Sequence, residues 1–86
     1  MNQAIHFPER EWWDEARQAV CFSAQVSGFP LTCAIDGEEL LHRFHAEGDA
    51  LTCFRLNRWE LEELAERAIQ HQQEDAQGWV WLSSEM

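Results

Sequence analysis

Arg17-Gln18-Ala19-Val20-Cys21-Phe22-Ser23-Ala24-Gln25-Val26-Ser27 is the stretch on which the fold turns. Val20, Phe22, Ala24 and Val26 fall on one side of an extended chain, and Cys21, Ser23, Gln25 and Ser27 on the other. A period of two is that of a half-buried strand. Gly28-Phe29-Pro30 interrupts it, after which Leu31, Cys33 and Ile35 alternate with Thr32, Ala34 and Asp36. Two such runs joined by three residues predict an antiparallel hairpin. Toward the N-terminus, Ile5 to Phe7, stopped by Pro8, predicts a further short strand. Glu9 to Ala16, with Trp12-Trp13, fits neither period cleanly and reads as a loop or a single turn.

On the other side of the hairpin the period changes. Asp36-Gly37-Glu38-Glu39 has the spacing of a helix start, in which the aspartate accepts from orphan N–H groups and Glu39 reaches back. A first helix is predicted to about Ala46, with Leu40, Leu41 and Phe44 inward and Gly48 as its stop. Asp49 caps a second, in which Leu51, Phe54, Leu61, Ala65, Ala68 and Ile69 share one stripe over about five turns. Gln70 to Asp75 frays that helix, and Gly78-Trp79-Val80-Trp81-Leu82 predicts a last strand with both tryptophans on one side. The order βββααβ is that of an α+β domain spanning residues 1–86. Its small antiparallel or mixed sheet of about four strands carries two helices on one face.

Composition limits the function. The chain has 86 residues with five Trp, five Phe, sixteen acidic residues, six arginines standing singly and no lysine, for a net charge of −10. A chain this short buries about 60 to 65% of its unfolded surface and has a radius of gyration of roughly 12 Å, so most of the aromatics are needed for the core. Nucleic acid and anionic membranes both recruit basic patches, and neither is expected as a partner. Three cysteines, Cys21, Cys33 and Cys53, form no CxxC pair, and Met1 to Phe7 has neither a basic nor an apolar leader segment. A cytoplasmic location follows. No run approaches the roughly 18 apolar residues of a membrane span.

Catalytic signatures are absent. Without lysine there is no phosphate-loop or Schiff-base lysine, and GxGxxG, GxSxG and HExxH do not occur. Cys33 lies on the inward side of its strand, where a free thiol behaves as a small hydrophobe. His42 and His45 are neighbours on the first helix, but two imidazoles need a third ligand, so no metal and no cofactor is expected.

Helical phasing leaves three features unexplained. Arg58 falls within the apolar stripe between Phe54 and Leu61, so it either meets a carboxylate such as Asp36 or Glu39 or marks a pocket for an anion. Leu56 and Trp59 stand together on the charged face, exposed unless Glu9 to Ala16 folds over them. Trp81, with Trp79, occupies whichever sheet face its parity selects.

Met1-Asn2-Gln3-Ala4-Ile5, Val20-Cys21-Phe22, Leu31-Thr32-Cys33-Ala34-Ile35, Phe54-Arg55 with Arg58, and Asp75-Ala76-Gln77-Gly78-Trp79 together resemble the YrdB-like family of small bacterial proteins. The resemblance covers nearly the whole chain. It implies a single α+β domain with no assigned activity, cofactor or catalytic residue.

The expectation is a non-enzymatic interaction or accessory module acting through an aromatic patch with an acidic rim, as a homodimer or with another protein, anchored by Leu56, Trp59 and Trp81 with Arg58 fixing the helix. The alternative is a small-anion or small-ligand-binding protein, or a minor enzyme, with a pocket at Arg58.

Overall fold

The computed structural model describes residues 4–82; Met1-Asn2-Gln3, which carry part of the family resemblance and of the expected absence of a leader, lie outside them. Five strands and three helices follow in the order β1 (Ile5–His6), β2 (Glu11–Asp14), β3 (Ala19–Val26), β4 (Phe29–Asp36), α1 (Gly37–Arg43), α2 (Ala50–Leu56), α3 (Arg58–Gln70) and β5 (Trp79–Leu82). They form the expected α+β arrangement, a mixed sheet in the order β1-β3-β4-β5 with β2 also on β3. Its Cα radius of gyration is 12.2 Å.

The hairpin β3–β4 has the alternation read from the sequence, but its turn is tighter. Val26 pairs with Phe29, leaving only Ser27 and Gly28 between the strands. Both have positive φ, 52° and 88°, as the type I′ turn of a right-twisted hairpin requires. Pro30 therefore lies within β4, in a part that β5 does not reach, since β4–β5 pairing begins at Thr32. There a strand tolerates a residue without N–H.

Glu9 to Ala16 is the main departure. Glu11–Asp14 is a strand paired antiparallel to β3, so the reading of a loop or single turn is corrected. β1 pairs Ile5 with Val26 and His6 with Gln25, while β2 pairs Glu11 with Phe22. Four residues, Phe7 to Arg10, thus stand opposite Ser23 and Ala24 alone. β1 and β2 are one edge strand broken by a bulge at Pro8, where the Arg10 N–H donates to the Pro8 carbonyl at 2.7 Å.

The two expected helices begin where the aspartates predict, and the first ends early. The Asp36 carboxylate accepts from the Glu39 N–H at 3.1 Å, and that of Asp49 from the Thr52 N–H at 2.9 Å. α1 stops at Arg43 rather than Ala46: His45 takes φ 51°, and the His45 and Ala46 N–H groups donate to the His42 and Leu41 carbonyls. This is a Schellman closure on a residue other than glycine, three residues before Gly48. α3 closes the same way on Gln72, with φ 55° and bonds from Gln72 and Gln73 to Ile69 and Ala68.

The expected second helix is two, α2 and α3, divided at Asn57. Its amide donates to the Cys53 carbonyl four residues back at 2.9 Å, and its backbone turns to ψ 25°. Asparagine competes for helix carbonyls in this way.

One core lies between the helices and the inner sheet face. Val20, Phe22, Ala24, Cys33, Ile35, Val80 and Leu82 meet Leu40, Phe54, Leu61, Leu64, Ala65 and Ile69. The Phe22 and Phe54 rings are 4.8 Å apart and tie β3 to α2; burying either stabilises the fold by about 1.5 to 3 kcal/mol. Trp13 points inward and packs on Gly37, where a Cβ would stand 2.8 Å from its ring.

Candidate functional site

Leu56 closes α2 and Trp59 lies in the first turn of α3, on either side of the Asn57 break. The two side chains are 80% and 85% exposed, and they line one shallow cleft with Glu9, Arg55 and Glu60. The β2 segment does not cover them. Trp13 is held at Gly37, and the register sends Trp12 to the opposite side of the sheet. Because α3 buries Leu61, Leu64, Ala65, Ala68 and Ile69, Trp59 falls on its outward side with Glu63 and Glu66.

Arg58 is paired, and its partner is Glu11 rather than Asp36 or Glu39. Glu11 is opposite Phe22 and so points to the helical side of the sheet, where it accepts from Arg58 and, at 2.9 Å, from Arg55. A second carboxylate, Glu62, lies 3.8 Å from the Arg58 guanidinium. These hydrogen bonds, led by that from Arg58, hold the Glu11 carboxyl below the usual glutamate range. Burial instead raises Glu62, against the pull of Arg58. The Arg58 side chain is 19% exposed and sits 5.2 Å over the Phe54 ring. Its charge is thus met within the fold, which makes it a pin between layers.

Trp81 does not join Leu56 and Trp59. It belongs to a row across four strands, Trp12, Cys21, Ala34 and Trp81, on the sheet face turned away from the helices. Cys21 and Ala34 in the middle of that row are fully buried. Trp81 stacks with Trp79 at 6.2 Å and donates its indole N–H to Asp75 at 3.1 Å, while the Arg17 guanidinium lies 4.3 Å over Trp79. These contacts occupy the two rings with each other and with neighbouring charged side chains.

The His42 and His45 rings are 6.4 Å apart. Among the described residues no third His, Cys, Asp or Glu joins them in a group able to hold a metal ion. His45 has a conformational task as the left-handed residue ending α1. The three thiols are free and buried, and burial pushes Cys21 up to about 11 and Cys33 up to about 12. No helix among the described residues is long and apolar enough to cross a membrane.

What sequence reasoning missed here is Glu11. Its signal was present, since Glu11 and Trp13 share one parity and Trp12 and Asp14 the other. An inward-pointing charge, a device of edge strands, disguised the alternation.

Comparison with known proteins agrees with this architecture. The model of a family described as a protein of unknown function (DUF1488) matches residues 5–82. A protein of Escherichia coli K12 described as uncharacterized protein YrdB is 58% identical over 84 residues, covering 95% of this chain and 99% of that one. Its counterpart from Shigella flexneri is 57% identical over 84 residues with the same coverage. A crystal structure of a DUF1488-family protein of unknown function from Shewanella loihica PV-4 superposes with a TM-score of 0.89 at 33% identity, covering 96% of each chain. None of these descriptions names an enzymatic activity.

Proposed function

We propose, for a chain that belongs to the DUF1488 family of proteins of unknown function, a role in protein recognition without catalysis. The observation that carries it is the pair Leu56 and Trp59, 80% and 85% exposed on adjacent helical turns. A tryptophan left in water beside a leucine is an uncovered apolar surface, and aromatic side chains with a charged rim are what interfaces use as anchors. Glu9 and Glu60 in the same cleft supply part of that rim. Arg58 contributes indirectly, holding the start of α3 against the sheet edge through Glu11. On this reading the protein works in the cytoplasm as an accessory module, either with a second copy or with another protein.

Light scattering behind size exclusion, across a dilution series and in mixtures with cell extract fractions, tests it with Trp59→Ala alongside. Loss of a complex in the variant, at unchanged thermal stability, supports recognition through Trp59. A complex equally strong in the variant, or a variant that no longer folds, would sink it.

A further inference from the structure

We propose that the groove between β1 and α3 takes a cationic amphipathic segment of another protein, with Trp59 at its end; this rests on the recognition reading above and names the partner's chemistry. Ile5 and Phe7 on one side and Trp59 on the other give the groove its accessible apolar surface, above the buried Leu64. Glu62, Glu63 and Glu66 of α3 line it as well. The groove thus mixes apolar side chains from both elements with carboxylates along the helix, and Trp59 joins it to the cleft that holds Leu56.

The charge balance selects the occupant. Glu60 is held by Arg43 at 3.2 Å, and Glu62 faces Arg58. Glu63 and Glu66 form no ion pair among the described residues. Arg67 is the groove's one cation without an ion pair among the described residues, so an excess of carboxylate remains. A second copy would bring the same carboxylates, on a chain of net charge −10, against these, and like charges facing across an interface oppose association. Nucleic acid and anionic lipid are repelled for the same reason. A segment with an apolar face for Ile5, Phe7 and Trp59, flanked by Lys or Arg for Glu63 and Glu66, matches both properties.

The probe is a labelled helix-forming peptide with leucine on one face and lysine on the other, beside a leucine–glutamate peptide of the same pattern. Fluorescence anisotropy at low and at 0.15 M salt measures binding. The lysine peptide should bind, with Trp59→Ser and the double variant Glu63→Gln/Glu66→Gln each weakening it about fivefold or more. Glu38→Gln/Glu47→Gln, an equal change of charge away from the groove, should alter it less than about twofold. Equal weakening by that control, no dependence on Trp59, no binding of the lysine peptide, or equal binding of the glutamate peptide would each overturn the proposal. Self-association through Trp59 in the absence of peptide binding would overturn the cationic partner and keep the recognition reading, which falls instead if every complex the protein forms is as strong in Trp59→Ala.

Discussion

Arg58 of α3 donates to Glu11 of β2 across 47 positions of chain, so a carboxylate on the edge of the sheet fixes the start of the longest helix. Arg55 of α2 shares the same carboxylate at 2.9 Å. The two arginines lie on either side of the Asn57 break, so one carboxylate ties both helix ends that carry Leu56 and Trp59 to the sheet edge. With the Glu11 and Arg58 side chains 12% and 19% exposed, removing the acid strands a mostly buried cation. Glu11→Ala is expected to lower stability by about 1 to 3 kcal/mol, read from urea unfolding midpoints. The double variant Glu11→Ala/Arg58→Met should recover part of that loss, and a cost below 0.3 kcal/mol for the single variant would contradict the pin (about half a surface pair's worth).

The same carboxylate gives a pH signature. Glu11 titrates lower in the folded chain than its ordinary 4.5, so the folded state favours its ionised form. Its stabilisation is full above that ordinary value and is lost as pH falls through the folded value. Glu62 is raised from 4.5 by burial, so its ionised form costs stability at neutral pH and the cost disappears on acidification. The stability gap between the natural protein and Glu11→Gln should therefore shrink below pH 4.5, while Glu62→Gln should gain at pH 7 and lose its gain in acid. Urea titrations at several pH values measure both, and parallel curves would contradict the assignment.

Gly37 is buried because Trp13 needs its space. Its φ is not positive, so a substitution there acts through sterics rather than backbone strain. A Cβ would meet the Trp13 ring at 2.8 and 2.9 Å and the Gln18 carbonyl at 3.3 Å. Gly37→Ala should cost about 1 to 3 kcal/mol by overpacking. Trp13→Phe, which removes the offending ring atoms, should make the alanine cheaper in a double-mutant cycle measured by thermal unfolding.

His45 is a test of what the histidine pair is for. At φ 51° a side chain is strained where glycine is not, and the chain adopts this to close α1. His45→Gly should hold or raise stability by about 0.5 to 1 kcal/mol. A large loss, or a change in melting temperature on adding zinc that disappears in the variant, would give the residue a ligand role instead.

Legibility followed the strength of local pattern. The hairpin strands, the aspartate caps and the inward stripe from Leu61 to Ile69 are written in periods of two and of 3.6, and each appears where that pattern places it. β2 was hidden because Glu11 occupies an inward position, and a lone carboxylate there makes sense only once Arg55 and Arg58 arrive from more than forty residues away. The end of α1 was hidden because its left-handed position is filled by His45, while the visible signal, Gly48, lies beyond; α3 ends at Gln70, where the polar run begins. The break at Asn57 depends on one amide competing for one carbonyl, which leaves the apolar stripe of the helix unaltered. At the site, helical phase put Leu56 and Trp59 on the charged face, and their exposure was decided by β2, which pairs with β3 and holds Trp13 at Gly37 instead of covering them. The separation of Trp81 from them required strand register, since only pairing with Ala34 and Cys21 assigns it to the far face.

The cysteines offer a last discrimination between recognition and thiol chemistry. A nucleophile must be thiolate and reachable, and here burial works against both. Cys33 lies in the core and Cys21 beneath the outer sheet face, with thiols pushed to about 12 and about 11 from the ordinary 9.0, for Cys21 with help from the Asp14 charge. Two to three units correspond to roughly a hundredfold to a thousandfold less thiolate near pH 8, before any loss of access is counted. Cys53 is raised as well, again by burial, although Asn57 donates to its sulfur. Treated with an aromatic disulfide at pH 8, the native protein should release colour at least about a hundred times more slowly than the unfolded chain, in which all three thiols react. A single thiol that reacts rapidly in the native protein would mean that one of these sites opens to water, and would bring a catalytic or redox role back into contention against recognition through Trp59.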